Sequence, residues 1–214
     1  GVVGGGAITG IEMALWDLKG KALGQPVWNL FGGKMRDNIR IYGHASSSKQ
    51  ARSLVDQGYG AIKTGGTHNT LETLQSIRQE VGRNIDLMVD IHGPPWLNTR
   101  DAISLGKRLE EFDLLFYEDP VAPENIEAIS RVSKAVNLPI AAGERHATIW
   151  GVRELIEREI IDVVQPDTGR AGGLMQMKKI AAIAEAHYCT IAPHDGSLGP
   201  VAEMAAVHLM ATIP

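Results

Sequence analysis

Three short apolar runs each end in a carboxylate: Leu87-Met88-Val89-Asp90, Leu114-Leu115-Phe116-Tyr117-Glu118 and Ile140-Ala141-Ala142-Gly143-Glu144. The carboxylates follow one another at intervals of 28 and 26 residues. Each interval is about the length of one strand, one helix and two turns. The period continues through Ile161–Asp167 and Thr190–His194. The pattern therefore predicts a series of strand–helix units in which chemically active side chains follow the strands.

The whole chain repeats this alternation. Strands are predicted near residues 38–44, 60–64, 86–90, 114–118, 138–143, 161–165 and 189–192. Between them, segments such as 71–82 and 173–187 carry apolar residues at helical spacing. Alternating strands and helices predict a parallel sheet. A doubly wound sheet would alternate in the same way, but acidic or histidine residues at five successive strand ends favour a closed barrel, because a flat sheet would spread them along a wide edge.

The first helix is predicted over residues 8–22, ahead of Gly24 and Pro26, which stop a helix. Gly4-Gly5-Gly6 is expected to be a flexible lead-in and not a phosphate loop, since no strand precedes it. The chain starts at glycine and stops directly after a helical pattern over 201–210, where a further strand is expected. We therefore expect a truncated barrel with seven strands.

Composition excludes several classes of function. The 214 residues are 44% hydrophobic and 21% charged, which is typical of a globular protein with a sizeable core. The net charge of −4 is too small to indicate a nucleic acid or an anionic membrane as partner. One cysteine, Cys189, rules out a disulfide framework, and no apolar segment is long enough to cross a bilayer. A cytoplasmic enzyme is the default expectation.

The strand-end carboxylates predict a metal site. Carboxyl ends of parallel barrel strands share one rim, so Asp90, Glu118 and Glu144 are expected to converge. Three oxygen ligands suit a hard divalent cation such as Mg²⁺. A zinc or iron site is disfavoured, because no three-histidine or two-histidine-one-carboxylate set occurs at adjacent strand ends. Three neighbouring acids break the register and are interpreted as surface or capping residues: Asp119, Asp162 and Glu124.

Two histidines share the predicted rim. His92 lies two residues after Asp90, and alternation along an extended chain would put both on one face. His194 follows Asp167 by one unit, so adjacent strand ends could hold a carboxylate–imidazole hydrogen bond that orients the ring and raises its basicity. The plainer alternatives are a surface histidine, a histidine packed on a helix N-terminus and a helix-capping aspartate. Two more strand-end residues face either substrate or an inactive rim: His44 and Lys63.

Several motifs together resemble the enolase superfamily, in its mandelate racemase subgroup. They occur in order along nearly the whole chain: Ala14–Gly24 followed by Gly32-Gly33, Tyr117-Glu118-Asp119-Pro120, Gly143-Glu144-Arg145, Gln165-Pro166-Asp167 with Gly172-Gly173, and Ala192-Pro193-His194. Within that subgroup, Asp90-x-His92 is similar to the acid-sugar dehydratases of the galactonate dehydratase type. The resemblance implies a (β/α)₇β barrel closed by an N-terminal capping domain. Residues 1–34 would then be a bridging helix and remnant of the junction with that domain, and residues 35–214 an incomplete catalytic barrel.

The resemblance also implies roles for single residues. Asp90, Glu118 and Glu144 match Mg²⁺ ligands, His194 with Asp167 matches the general-base dyad, and His92 matches a general acid. The implied reaction removes the α-proton of a sugar acid and eliminates water to give a 2-keto-3-deoxy acid. The substrate would be a small sugar acid, with no nucleic-acid or membrane partner and a homo-oligomeric full-length protein.

Two departures from the family pattern qualify these roles. Where mandelate racemase has Lys-x-Lys, this chain reads Lys63-Thr64-Gly65, which argues against a two-base racemase. The loop 195–200 also differs from an expected asparagine-rich version. An epimerase that uses His92 and His194 on opposite faces of an enediolate stays open as an alternative, and so does a non-catalytic truncated remnant.

Overall fold

The computed structural model describes residues 1–195 and 199–214. These residues form two compact units, which we name for their place in the sequence. The middle unit is Arg40–Ala142, and the terminal unit combines Gly1–Ile39 with Gly143–Pro214. The predicted domain boundary at residue 34 stays a prediction. The predicted departure in the loop 195–200 includes residues 196–198, which lie outside the described residues.

Helices and strands alternate from residue 43 onward. In chain order the elements are α1 (Val2–Leu23), α2 (Val27–Leu30), β1 (Gly43–His44), α3 (Ser48–Asp56), β2 (Ala61–Gly65), α4 (Thr70–Val81), β3 (Asp86–Asp90), α5 (Thr99–Leu109), a 3₁₀ turn (Glu110–Phe112), β4 (Leu114–Glu118), α6 (Ile126–Ala135), β5 (Ile140–Ala142), α7 (Thr148–Glu157), β6 (Val163–Val164), α8 (Leu174–Ala186), β7 (Thr190–Ile191) and α9 (Pro200–Met210). Each of the seven predicted segments overlaps one of these strands, and β2 extends one residue past its predicted end.

The strands of each unit pair in parallel and in chain order. In the middle unit the order is β1 to β5, and the register sets Gly65 beside Asp90 and Asp90 beside Glu118. In the terminal unit β6 pairs with β7, and an isolated parallel bridge further along joins Asp167 to His194. Parallel pairing in chain order is the arrangement that the alternating pattern predicts. The register already aligns the strand-end residues of neighbouring strands.

Each unit has an apolar core built from its strands and helices. In the middle unit, β3 buries Leu87, Met88 and Val89 almost completely, as expected for a parallel strand that is covered on both faces. Buried apolar residues of the terminal unit include Val152 and Leu155 of α7, Val164 of β6, and Met177 and Ile180 of α8. In the part of the chain that the structure describes, no helix has both the length and the apolar content needed to cross a bilayer.

Helix α1 begins six residues earlier than predicted. The expectation of a flexible glycine lead-in is wrong, because Gly4, Gly5 and Gly6 lie inside the helix. Glycine weakens a helix by about 1 kcal/mol relative to alanine. Here tertiary packing outweighs that cost: Gly5 is buried, and a Cβ at this position would overlap the carbonyl oxygen of Arg170. Glycine permits α1 to approach that backbone.

Candidate active site

In the middle unit, three strand-end side chains form a group that we call the lysine cluster: Lys63, Asp90 and Glu118. The Nζ atom of Lys63 lies 2.6 Å from Oε2 of Glu118 and 3.6 Å from Oδ2 of Asp90. The side chains of Lys63 and Glu118 are only 2% and 1% exposed. Burying a carboxylate is costly unless it is paired, so the ammonium group stabilises the two acids where they are.

The environment of Lys63 keeps it charged. Burial alone would lower the pKa of Lys63, but the charges of Glu118 and Asp90 outweigh burial and raise it well above its ordinary value. The ammonium also lies 5.4 Å from the ring centre of Tyr42, within the range of a cation–π contact. Burial raises the pKa of the Tyr42 hydroxyl, so the ring stays neutral. Lys63 therefore supplies a fixed positive charge at the ends of β2, β3 and β4.

The position of the missing second lysine is sterically closed. Gly65 is the register partner of Asp90 on β3. A Cβ at position 65 would lie 2.5 Å from the backbone oxygen of Asp90, a distance that real side chains do not reach. A lysine at this position would require the two strands to separate. The departure from Lys-x-Lys thus has a local physical reason.

The two candidate site histidines of the middle unit, His92 and His44, are exposed. After Asp90 the chain leaves the strand, and the N–H group of His92 donates a 2.8 Å hydrogen bond to Oδ1 of Asp90. This bond from a carboxylate to the amide two residues later is typical of a turn, so strict alternation does not continue to His92. His44 is exposed at the end of β1, with its ring 5.9 Å from that of Tyr42. The catalytic role of His92 and the substrate contact of His44 stay predictions.

In the terminal unit, three side chains form a group that we call the histidine cluster: Glu144, Asp167 and His194. Nδ1 of His194 lies 2.9 Å from Oδ2 of Asp167, and its Nε2 lies 3.0 Å from Oε2 of Glu144. All three side chains are buried. The structure thus forms the carboxylate–imidazole hydrogen bond that the interval of one strand–helix unit predicts. The contact between His194 and Glu144 was not expected from the sequence.

The two carboxylates favour the protonated imidazole. Burial by itself lowers the pKa of His194, but the hydrogen bonds with Asp167 and Glu144 outweigh it and raise the pKa to about 9. Both ring nitrogens then donate, one to each carboxylate. A general base must be neutral and must have a free nitrogen. The contact of Glu144 with Nε2 therefore opposes proton abstraction by His194 for as long as it persists.

Local backbone geometry holds the acids of the histidine cluster. Oδ1 of Asp167 accepts a 2.9 Å hydrogen bond from the N–H of Gly169, and the Arg170 guanidinium lies 3.5 Å from its Oδ2. Before Glu144, Gly143 has a φ of +144°, and a Cβ there would lie 2.9 Å from the backbone nitrogen of Gln165. Glycine is required here because two backbones meet closely. These constraints fix where Glu144 and Asp167 leave the chain.

One acid was interpreted wrongly from the sequence. Asp119, taken as a surface or capping residue, is 1% exposed. It follows Glu118 with a φ of +41°, and its N–H donates a 3.0 Å hydrogen bond to the carbonyl of Ala141. Strand pairing with β5 continues through this residue and buries it. Asp162 and Glu124 are exposed, as interpreted.

The donor chemistry fits a hard cation. Asp90 and Glu118 are carboxylates on paired strands, Glu118 and Glu144 are almost fully buried, and anionic oxygen atoms are the ligands that Mg²⁺ prefers. Among residues 1–195 and 199–214, however, no group of three or more His, Cys, Asp or Glu side chains is arranged to hold a metal ion. The cation beside Asp90 and Glu118 is the ammonium of Lys63. The three-carboxylate Mg²⁺ site stays a prediction.

Comparisons with known proteins identify the family. Residues 46–214 match the enolase C-terminal domain-like family. Residues 2–32 match the N-terminal domain of the mandelate racemase / muconate lactonizing enzyme family. The chain therefore belongs to the enolase superfamily, and the predicted family and barrel-type α/β fold are confirmed.

Individual relatives are similar over almost the whole chain. D-galactonate dehydratase of Cronobacter sakazakii (strain ATCC BAA-894) is 36% identical, over 95% of this chain and 57% of that protein. The crystal structure of the 3,6-anhydro-D-galactonate cycloisomerase from Zobellia galactanivorans has a TM-score of 0.90 at 33% identity, covering 98% of this chain and 61% of that one. An enolase superfamily member from Salmonella Typhimurium has a TM-score of 0.91 at 32% identity, covering 100% and 64%. The chain thus spans about 57–64% of the length of these proteins.

Proposed function

We propose that the protein carrying this chain is a Mg²⁺-dependent dehydratase that converts a galactonate-like aldonic acid into a 2-keto-3-deoxy acid. Membership of the enolase superfamily and 36% identity to a D-galactonate dehydratase support an enzyme of this kind. The observation that carries the proposal is the buried pair of His194 and Asp167, with Nδ1 and Oδ2 2.9 Å apart. Because the chain spans just over half of that relative, the activity is proposed for the whole protein.

In this proposal His194 is the base. Asp167 holds the proton on Nδ1, which leaves Nε2 to remove the proton from the carbon next to the substrate carboxylate. The neutral ring needed for this step is favoured when Glu144 pairs with a cation other than the imidazolium of His194, because the contact between Glu144 and His194 raises the pKa of the ring. In this proposal Glu144 thus has a second effect: its position relative to Nε2 of His194 influences how readily the ring accepts a proton.

Asp90, Glu118 and Glu144 are the residues proposed to hold Mg²⁺. The ion would supply positive charge that stabilises the enediolate formed when the α-proton leaves. Lys63 adds a permanent positive charge next to Asp90 and Glu118, which suits a residue that binds the substrate carboxylate. His44, exposed at the end of β1, is proposed as a further substrate contact.

Elimination completes the proposed reaction. The enediolate then collapses: its electron pair forms the double bond between the α- and β-carbons, and the bond to the β-hydroxyl breaks. His92 donates the proton with which that hydroxyl leaves as water. The resulting enol then tautomerises to the 2-keto-3-deoxy acid. An exposed imidazole at the end of β3 is able to exchange its proton with solvent between turnovers.

Isotope exchange tests these roles separately. The whole protein is incubated in D₂O with Mg²⁺ and a panel of aldonic acids, with deuterium at C2 and keto-acid formation followed together. We expect His194→Asn to lose both exchange and dehydration, and His92→Asn to keep exchange while losing dehydration. His68→Asn, a change at an exposed histidine, is the matched control. Exchange that survives in His194→Asn would contradict the assignment of the base.

The same experiment separates dehydration from epimerisation. An epimerase would return substrate with deuterium at C2 and inverted configuration, without keto acid. The closed position at Gly65 removes the second lysine of a two-base racemase, which favours dehydration over this alternative. A protein that produces neither exchange nor keto acid with any aldonic acid would point to a non-catalytic member. The expected cytoplasmic location and homo-oligomeric state stay predictions, and the oligomer is measurable by light scattering.

A further inference from the structure

Helix α1 contacts the loop that carries Asp167 at three successive turns. Gly5 packs against the carbonyl of Arg170 so closely that a Cβ at position 5 would lie 2.2 Å from that oxygen. Thr9 Oγ1 accepts a 3.0 Å hydrogen bond from the N–H of Gly172 and donates to the carbonyl of Gly5 at 2.8 Å. Thr9 is 1% exposed, so both bonds are made away from water. The spacing of Gly5, Thr9 and Glu12 puts all three on one face of the helix.

Glu12 caps a helix that cannot cap itself. Helix α8 begins after Gly173, which has no side chain, and its first turn contains no acidic residue. Oε1 of Glu12 accepts a 3.2 Å hydrogen bond from the N–H of Met175, in that first turn. A carboxylate at a helix N-terminus satisfies an unpaired N–H group and interacts favourably with the helix dipole. A Cβ at Gly173 would overlap the Glu12 carboxylate, so any side chain at 173 would displace Glu12 from this position.

The loop held in this way begins with Asp167. The backbone oxygen of Asp167 accepts hydrogen bonds from the N–H groups of Arg170 at 3.0 Å and Ala171 at 2.8 Å. Its Oδ1 accepts from Gly169, and its Oδ2 contacts His194. The loop is therefore a compact hydrogen-bonded turn with Asp167 at one end and the α1 contacts at the other. A shift of the far end would be transmitted to the Asp167 carboxylate through these bonds.

We propose that Thr9 and Glu12 are positioning residues for the Asp167–His194 pair. Neither touches the pair; they hold residues 167–173 and the start of α8 in the one position in which Oδ2 of Asp167 reaches Nδ1 of His194. Helix α1 matches an N-terminal domain family, whereas Asp167 and His194 lie in the region that matches the C-terminal domain family. In this proposal helix α1 helps to orient the base. The expected change in C2 proton exchange rests on the proposed function, whereas the expected change in the position of Asp167 does not.

The test uses Thr9→Val in the whole protein, because valine keeps the shape of threonine but cannot accept the Gly172 hydrogen bond. The first readout is the low-field proton NMR signal of the His194 Nδ1–H, assigned by its disappearance in His194→Asn. We expect this signal to move upfield or broaden in Thr9→Val. The second readout is C2 proton exchange, for which kcat should fall roughly tenfold, since small misplacements of reacting groups cost this much, while KM changes little. Thr9→Ser, which keeps the hydroxyl, should restore both readouts.

Glu12 provides the second variant, for the case in which Thr9→Val does not fold. Glu12→Gln keeps an acceptor for Met175 but loses the charge at the start of α8, so we expect a smaller shift of the same NMR signal. Asp17→Asn on the same helix is the matched control, because that carboxylate is exposed and pairs only locally with Lys21. An unchanged signal and unchanged exchange in Thr9→Val and Glu12→Gln would overturn the proposal. So would equal effects of Thr9→Val and Thr9→Ser.

The two readouts separate failure of this inference from failure of the proposed function. If the wild-type protein neither exchanges nor dehydrates any aldonic acid, the proposed function fails. The NMR signal of His194 still reports whether α1 positions Asp167. Conversely, an active enzyme whose His194 signal is unchanged by both substitutions would support the proposed function and contradict the positioning role.

Discussion

The helices of the two units begin in different ways. In the middle unit α3, α5 and α6 are capped by the residue directly before them: Ser47 accepts from Gln50, Asn98 from Asp101 and Asn125 from Ala128, at 3.0–3.3 Å. In the terminal unit α7 and α8 follow Ala147 and Gly173, which provide no side-chain cap. Their first turns are capped from other helices, by Gln176 on Ile149 and by Glu12 on Met175, each at 3.2 Å.

This difference separates local from tertiary organisation. Helices α3, α5 and α6 carry their own start signal and would keep it if their neighbours moved, whereas α4 follows Asn69 without a side-chain cap. The starts of α7 and α8 depend on side chains that are 27 and 163 residues away in the sequence. Glu144 lies shortly before α7, and Asp167 shortly before α8. The terminal unit therefore connects its candidate catalytic acids to the packing of its helices.

The clusters of buried charge differ in a parallel way. The lysine cluster has a cation that is charged at every physiological pH, between two acids on neighbouring strands. The histidine cluster has an imidazole whose charge depends on pH, between two acids that follow successive strands. Removing a charge from the lysine cluster should lower the free energy of unfolding. The contribution of the histidine cluster to that free energy should change with pH. Four predictions test these contrasts.

The largest effect is expected when the lysine cluster loses its cation. Lys63→Met leaves Asp90 and Glu118 facing each other without a counter-charge, and breaking a buried pair in this way costs about 3–5 kcal/mol. Urea unfolding of the metal-free protein measures the change. Lys34→Met is the control, because its pair with Asp37 is solvent-exposed and should contribute little to stability. Added Mg²⁺ should recover part of the loss in Lys63→Met; equal losses in the two variants would contradict the prediction.

The histidine cluster should make stability depend on pH. The pKa of His194 is raised from 6.5 to about 9 in the folded protein. Its contribution is therefore fully present below pH 6.5 and is lost as the pH rises through 9. A shift of this size corresponds to about 3 kcal/mol. Urea unfolding of the metal-free protein between pH 6 and 10 should show the loss, and His194→Asn should flatten that part of the profile. A profile identical in both proteins would show that the cluster is not protonated as described.

Gly173→Ala should destabilise the terminal unit by roughly 1–3 kcal/mol. The φ of Gly173 is +110°, which disfavours a side chain, and the added Cβ also overlaps the Glu12 carboxylate. Gly33→Ala is the matched control: its φ is +97°, but nothing lies within 4 Å of the added Cβ. The melting temperature of Gly173→Ala should fall further than that of Gly33→Ala. The excess should shrink when Glu12→Ala is added, and an excess that persists would locate the strain elsewhere.

The smallest effects distinguish the two ways of capping. Asn98→Ala removes a local cap and should cost about 1 kcal/mol without changing catalysis. Gln176→Ala removes a tertiary cap at a similar cost in stability. It should also lower the rate of C2 proton exchange, because α7 begins only four residues after Glu144. Thermal melts and exchange rates of the two variants check this contrast, and Gln176→Glu, which keeps an acceptor, should stay close to wild type. Equal exchange rates in the two alanine variants would remove the functional difference between the units.

Much of the fold was predictable because its signals are local. Apolar runs ending in a carboxylate, helical periodicity over 71–82 and 173–187, and the regular interval between units all depend on residues close in sequence. The structure has helices over 70–81 and 174–186 and a strand at each of the predicted segments. The hydrogen bond between Asp167 and His194 was predictable for the same reason, since one strand–helix unit separates them. Local hydrogen bonding and periodic burial are written into short windows of sequence.

Other features could not be predicted from the sequence, because they depend on residues far away along the chain. The glycines of α1 indicate a flexible segment on propensity alone, yet Gly5 is helical where it meets Arg170. Asp119 is a residue type common in exposed turns, yet strand pairing buries it. Nothing near Glu144 in the sequence indicates its contact with His194, 50 residues away. In each case the deciding partner is far along the chain.

The sequence by itself therefore determined the order of strands and helices, the strand ends at which reactive side chains are placed, and the local caps of α3, α5 and α6. Only the tertiary structure decided which charges are buried together, which glycines are sterically required, and which helix caps α7 and α8. The physical reason is the separation along the chain over which each interaction acts. Backbone propensity and periodic hydrophobicity act within a few residues, whereas close packing and the pairing of buried charges depend on atoms that meet only after the chain has folded.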